Sequence, residues 1–428
     1  MKSNGSEFRP GDVMYGRLRP YLNKVVAPHF HGAASAEFIV FPQSEALDPG
    51  FLKYLLHQMP FVQFANERSS GDRPRVKHED LIGFQYRLPP LAEQKRIVSK
   101  IDELFSAIEA GERAVARARA SLARYRKAIL KAAVTGELTA DWRAANPPTE
   151  TAEALLTRIR QARYDAWEIS ELEKLDAKGM ARPKTEKQWE RFRSRFTGPD
   201  AAKLEVEEKL PKSWCWTKFG SCFDIFTGAT PSRKKPKYWN GKIPWVSSGE
   251  VAFCNIRETV ECITKEGYLN SSVKLHPEGT VLLAMIGEGK TRGQSAILKI
   301  AATNNQNAAA IRVSETPILE DYIYDFLFLR YEVSRAEGQG GNQPALNARK
   351  VASIVFPLPP IDEQREIVSR VEVALSRADA VEASLDGQTR QARALKQAIL
   401  KRAFAGELVE QDPNDEPASE LLKRIMAA

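Results

Sequence analysis

The side chains best suited to chemistry in this chain are cations and amides gathered in short polar loops. One loop runs from Thr230 to Lys237 and carries Ser232, Arg233, Lys234, Lys235 and Lys237. A second is Lys290, Thr291, Arg292, and a third, Gly338 to Gln343, offers Gln339, Asn342 and Gln343. Earlier in the chain, Arg17, Arg19 and Lys24 form one cluster, and Arg68, Arg73 and Arg75 form another. Arg and Lys bond guanine edges and phosphate, while Gln and Asn bond adenine, so loops of this composition suit a DNA groove. One such loop by itself reads as a solvated surface segment. Recurrence at related places in two parts of the chain points to a shared binding role.

Other chemistry is poorly supported. Ala284 to Thr291 reads Ala-Met-Ile-Gly-Glu-Gly-Lys-Thr and satisfies a permissive phosphate-loop pattern, but that motif needs a helix straight after the lysine. Here Arg292 and Gly293 lead into a strand-like run, and the first part of the chain has no matching loop. Asn146-Pro147-Pro148-Thr149 lacks the aromatic of a base-gripping methyltransferase loop and reads as a helix start. Cys215, Cys222, Cys254 and Cys262 contain no C-x-x-C pair, and the five histidines show no zinc spacing, so buried free thiols in a reducing cytoplasm are expected. No nucleophile with its base, carboxylate pair or metal cluster emerges, so catalysis by this chain is not expected.

Two stretches stand out as the elements that would position the loops. Leu88-Pro89-Pro90 with Glu93-Gln94 returns 270 residues later as Leu358-Pro359-Pro360 with Glu363-Gln364. The far ends keep the same displacement, Gly136-Glu137-Leu138 against Gly406-Glu407-Leu408. Between them Ile97, Ile101, Leu104, Ile108, Val115, Leu122 and Ile129 follow the three-four spacing of a coiled-coil seam, and Ile367, Val371, Val381, Leu385, Leu395 and Ile399 repeat it. Each run ends at a glycine placed as a helix C-cap. Preserved length suits a rod whose register matters. Where one copy has large residues the other has small ones at the corresponding positions (Leu104 and Ala374, Ile108 and Ala378), and a seam mixing the two favours pairing of the two different helices. The alternative is two separate amphipathic helices on separate cores.

The globular parts also match. Pro10, Gly11 and Val13 correspond to Pro277, Gly279 and Val281, and Tyr54, Gly71 and Pro74 correspond to Tyr324, Gly341 and Pro344. The expected fold is α+β, two globular domains separated by a long antiparallel two-helix coiled coil in a tandem repeat. The expected pieces are a partial first domain (1–90), a first spacer helix (91–138), a charged helical connector (139–209), a second domain (210–360), a second spacer helix (361–409) and a tail helix (410–428). Projecting Leu210 back by the same displacement lands about 60 residues before Met1, so a counterpart of Leu210 to Leu269 is missing from the first domain. A start assigned too late, an inactive truncated product, and a piece supplied by another chain are the three accounts.

Composition sets the outer bounds. With 428 residues and 43% hydrophobic content there is material for two or three packed domains. The net charge of +8 permits a nucleic-acid partner without demanding one. Neither an apolar leader nor a bilayer-spanning run is visible, so no membrane role and a cytoplasmic location are expected.

With these motifs in view, the chain resembles the specificity (S) subunits of type I restriction-modification enzymes. The resemblance rests on both Leu-Pro-Pro…Glu-Gln runs with Ile97-Val98 and Ile367-Val368, and on the two Gly-Glu-Leu helix ends. Also similar are Leu210-Pro211 with Trp214 and Trp216, then Gly228, Thr230, Pro231 and Ile243-Pro244-Trp245. It implies two target-recognition domains, each reading half of a split site in double-stranded DNA, and helices that act as a ruler. It also implies two docked methyltransferase (M) subunits and further restriction (R) subunits. The resemblance further implies that S-adenosylmethionine, ATP and magnesium are held by those partners, and no cofactor is expected in this chain. The rival reading from the residues is a coiled-coil scaffold that does not read DNA; a self-contained methyltransferase is disfavoured by the lack of a cofactor motif.

Overall fold

A computed structural model describes residues 5–196, 204, 206–287, 290–336 and 346–427. The chain forms two units, Met1–Leu122 with Ala380–Ala428, and Ala123–Asp379. Two helices of equal length dominate the element order, Leu91–Thr135 and Ile361–Ala405, each of 45 residues. At ~1.5 Å per residue each is roughly 68 Å long. Their starts and their ends are both displaced by 270 residues. Gly136 (φ +78°) and Gly406 (φ +79°) end them in the left-handed region that glycine enters without a Cβ penalty.

In the first unit the two helices run antiparallel. Lys396 bonds Glu112 at 2.9 Å, and Arg119 pairs with Asp386. Ile97 and Ile101 are buried against Ile399, Leu400 and Ala403, joined by Phe51 and Tyr54, while Leu104 and Ile108 are half-buried there. Val115 and Leu122 are also half-buried. In the second unit Arg126 pairs with Asp379 at 2.6 Å. Leu130 and Ala133 are buried with Ile367 and Val371, and Ile129 packs beside them. Near their ends the helices meet a globular core as well as each other, which widens the apolar face beyond a two-position seam.

Two seam positions are corrected. Val381 and Leu395 each stand 48% exposed, whereas Leu385 is 7% exposed. The half-buried places belong to the next residues, Glu382 and Lys396. Lys396 lays its aliphatic stem along the interface and carries its ammonium to Glu112 at 2.9 Å, while its apolar neighbour Leu395 stays partly in solvent.

The globular part of the first unit contains strands β1 (Ser6–Phe8), β2 (Val13–Gly16), β3 (Val25–Val26), β4 (Gly32–Ala34) and β5 (Phe38–Phe41). The sheet order is β3-β2-β5, with a separate β1-β4 pair. Alternation along β2 sends Val13 and Tyr15 toward Leu56, Phe61 and Leu81, and Met14 toward Phe8 and Ala34.

In the second unit the strands are β6 (Cys215–Lys218), β7 (Ile225–Thr227), β8 (Trp239–Val246), β9 (Cys254–Ile256) and β10 (Glu261–Ile263). After them come β11 (Val281–Ala284), β12 (Ser295–Leu298), β13 (Thr303–Asn304), β14 (Ala308–Ile311) and β15 (Val355–Leu358). The main sheet has the order β7-β14-β11-β12-β9; β10-β8-β13 and β15-β6 form smaller sheets. Val281 and Leu283 face Tyr322, Ile323 and Leu327, while Leu282 and Ala284 face Val246, Val251 and Ile256. The β2-β5 register (Val13 opposite Phe41) repeats as β11-β14 (Val281 opposite Ile311). Thus β3-β2-β5 and β12-β11-β14 are the same three-strand unit. Among the described residues of the first unit, nothing corresponds to β7 and β9.

The repeated Glu-Gln pair joins helix to domain. Gln94 and Gln364 are both fully buried. Gln94 Oε1 accepts from the Asp48 N–H at 2.8 Å, and Gln364 Oε1 accepts from the Leu319 N–H at 3.1 Å. Glu363, 2% exposed, accepts from the Thr139 hydroxyl, Arg143 Nη1 and Trp214 Nε1, each at 2.7 Å. A buried carboxylate is tolerated because charge-assisted bonds replace its hydration. The connector helix Ala152–Ala177 begins after Thr151, whose hydroxyl caps it by accepting from the Ala154 N–H.

Candidate nucleic-acid interface

In the first unit, β2 ends where β3 and β5 begin, since Tyr15 lies opposite Val25 and Gly16 opposite Phe38. The loop 17–24 and the turn before β5 therefore leave the same end of the sheet. The Arg68–Arg75 loop is bound beside them. Arg19 N–H donates to the Pro74 carbonyl at 2.7 Å, and Val76 N–H to the Arg17 carbonyl at 3.1 Å. Arg19 (φ 52°) and Asn23 (φ 43°) hold left-handed conformations that cost a side-chain-bearing residue energy. The two predicted cationic clusters thus come together. Arg19, Lys24, Arg68 and Arg73 are exposed; Arg17 is half-buried. Arg68 lies 3.6 Å over the Phe64 ring. Arg75 forms a two-point pair with Glu37, 2.9 Å at its closest, and its hydrogen bonds hold the Glu37 carboxyl below the usual carboxylate range.

The second unit repeats the arrangement with more loops. Thr227 lies opposite Ala309, Ala284 opposite Ala308 and Leu283 opposite Ser295. Hence the loops after β7, between β11 and β12, and before β14 all leave one end of the sheet. Gly228 allows the first of these to touch the third. A Cβ there would lie 2.1 Å from the Asn304 carbonyl oxygen and 2.3 Å from that of Asn305. Ala229 N–H donates to the Asn304 carbonyl at 3.0 Å. Two indoles then pin the loop, Trp245 Nε1 donating to Ala229 O at 3.0 Å and Trp239 Nε1 to Ser232 O at 3.3 Å.

On this pinned loop Ser232, Arg233, Lys234, Lys235 and Lys237 are exposed, and Thr230 is half-buried. Arg233 lies 3.6 Å over the Trp239 ring and pairs with Glu261, holding that carboxyl below its ordinary range. Lys235 donates to Tyr238 Oη at 3.1 Å, and Lys237 pairs with Glu266. Lys234 carries no such bond among the described residues. Lys290 is exposed at the β11-β12 hairpin, and its carbonyl accepts from the Tyr331 hydroxyl at 2.6 Å. No helix follows it: residues 290–294 turn directly into β12, as the local sequence required.

Arg292 is a correction. It is 7% exposed and Thr291 is half-buried, so Arg292 belongs to the support of the hairpin and cannot offer its guanidinium at the surface. Gly293 (φ +86°) explains the fold-back, donating its N–H to the Ala284 carbonyl at 2.8 Å. Gln339, Asn342 and Gln343 lie outside the described residues. Sequence reasoning passed over Thr303–Asn307, an amide-rich run whose composition was visible and whose place between the other two loops was not. Met285 N–H donates to the Asn307 carbonyl at 2.7 Å, tying that run to the β11-β12 hairpin as well.

No group of three or more His, Cys, Asp or Glu side chains is placed to hold a metal ion among the described residues, and no helix there is long and apolar enough to cross a membrane. Cys222 is buried, and burial pushes its thiol up to about 12; the other three cysteines are half-buried, and none is in a disulfide.

The architecture is a tandem of three-strand units bearing polar loops on one sheet end, each followed by a long helix. Residues 211–383 match the family model of the type I restriction modification DNA specificity domain. The chain is 35% identical over 162 residues to the EcoDI specificity subunit of Escherichia coli, covering 37% of this chain and 36% of that protein. It is 25% identical over 391 residues to the EcoBI specificity subunit of Escherichia coli, covering 88% of this chain and 71% of the relative. The fold is shared with a chain of a type I R-M system solved for its complex assembly and conformational transition. That likeness has a TM-score of 0.67 at 19% identity and covers 95% of this chain and 85% of the other. The chain is thus similar to type I restriction enzyme specificity subunits, most clearly over residues 211–383. Its match spans little more than a third of the EcoDI and EcoR124I/EcoR124II subunits, 36% and 39% of their lengths.

Proposed function

We propose that this chain is the DNA sequence-recognition subunit of a type I restriction-modification complex. Each α+β domain reads one half of a bipartite duplex site through the loops at one end of its sheet, and the long helices link the two readers. The chain docks two methyltransferase subunits, and restriction subunits join that assembly. Chemistry resides in those partners, which hold S-adenosylmethionine, ATP and magnesium, while this chain selects the site. The observation that supports the reading best is the loop 228–237, whose backbone is fixed by two indole donors and a close glycine approach while Ser232 and Lys234 stay exposed. A loop held rigid while Ser232 and Lys234 remain exposed is organised for a partner.

The test is co-expression with the neighbouring methyltransferase subunit in a host lacking the system, followed by genome-wide mapping of methylated adenine. One interrupted motif with two defined halves is the expected result. Absence of any motif in a stable complex would refute DNA readout and leave the scaffold reading. A motif with a single half would refute the role of the first domain.

A further inference from the structure

The amide run before β14 divides into two kinds of residue. Asn304 is fully buried, and its Nδ2 donates to the carbonyls of Ala308 at 2.7 Å and Asn305 at 3.0 Å. Asn305 is 7% exposed; its Oδ1 accepts from the Asn307 N–H at 3.1 Å, and its own N–H donates to the Val246 carbonyl. These two amides hold the turn together. Gln306 sits at its tip and is exposed.

Gln306 is nevertheless oriented. The Thr230 hydroxyl donates to Gln306 Oε1, and Thr230 is held in reach by the close approach of Gly228 to Asn304 and Asn305. Nε2, with both its hydrogens, has no hydrogen-bond partner among the described residues. A glutamine at a surface tip ordinarily surrenders rotamer freedom when it binds. Here much of that cost is met in the free protein, so the carboxamide presents a fixed donor and an acceptor with a second lone pair. That pair of functions at one planar group matches the major-groove edge of adenine, where N7 accepts and the N6 amino group donates.

We infer that Gln306 is a specificity-determining residue of the second domain, reading one adenine of its half-site with Nε2 to N7 and Oε1 to N6, and that Thr230 is its positioning residue. The inference rests on the proposed DNA-reading function. The first domain differs at the same place: β5 stands where β14 does after 270 residues, so Ala36 and Glu37 occupy the positions of Gln306 and Asn307. One loop therefore carries different chemistry in the two domains, as two different half-sites require.

The experiment uses the full chain in complex with its methyltransferase subunit. The wild-type motif is mapped first; its absence overturns the DNA-reading function and this inference with it. Gln306→Ala is then expected to relax the motif at one adenine of one half-site, lowering discrimination there roughly 5- to 150-fold, while the other half is unchanged. Thr230→Val is expected to relax the same position by a smaller factor. An unchanged motif in Gln306→Ala, with wild-type motif reading confirmed, overturns the inference alone. A second measurement needs no variant: replacing each adenine of the target by 7-deazaadenine should weaken wild-type binding at one position of that half-site, and equal binding at every position overturns the assignment.

Discussion

Gln364 accepts from the Leu319 N–H through Oε1 and donates through Nε2 to the Pro359 carbonyl at 2.9 Å. Gln94 repeats this with the Asp48 N–H and the Pro89 carbonyl, at 2.8 and 3.0 Å. Each bond pair ties the start of a long helix to the globular domain it follows. Gln364→Leu should orphan two buried backbone groups and cost about 1–3 kcal/mol for each. Faster amide exchange at Leu319, with little change at Asp48, checks the effect; Gln94→Leu should show the reverse. Unaltered exchange in both would argue that these bonds are incidental.

The seam register can be tested by truncation. Leu385 is 7% exposed and Val381 is 48% exposed. Leu385→Ala should destabilise the first unit by roughly 2–5 kcal/mol, whereas Val381→Ala should stay within about 0.5 kcal/mol of wild type. Urea midpoints read both. Equal losses would restore Val381 to the seam.

Surface and support cations should behave differently in DNA binding. Lys234→Ala and Arg73→Ala, each removing an exposed charge, should lower the slope of log affinity against log salt by about 0.9 for each phosphate no longer neutralised. Arg292→Ala removes a buried side chain and should lower the melting temperature first. Binding of the assembled complex across a salt series, beside a thermal melt, separates the two classes.

The second unit should lose stability as pH rises toward neutrality. Burial, and then the neighbouring Asp321, push the Asp325 carboxyl from 3.8 up to about 7. The folded state therefore holds a proton that the unfolded chain releases. The stabilisation is complete below the unfolded value, shrinks as pH rises from about 4 to 7, and is gone above the folded value. Asp325→Asn should flatten this dependence and raise stability at pH 8 by a few kcal/mol at most. Parallel pH profiles for wild type and variant would count against the buried acid.

Much of the architecture follows from local pattern. The three-four apolar spacing, the proline pairs and the glycines at 136 and 406 specify two equal helices, because helix period, entry and termination are set by near neighbours in the chain. The continuous apolar runs at Val13–Tyr15 and Val281–Ala284 likewise specify strands covered on both faces. Loop chemistry was legible only as composition. Arg292 and Lys290 are two residues apart and look alike in sequence, yet one supports a hairpin and the other faces solvent. Gln306 gains its orientation from Thr230, 76 residues away, and Leu395 yields its place to its neighbour Lys396, which finds Glu112 on the other helix. Period and capping are properties of a segment by itself; exposure and orientation depend on which distant segment is laid against it, and that is settled when the chain packs.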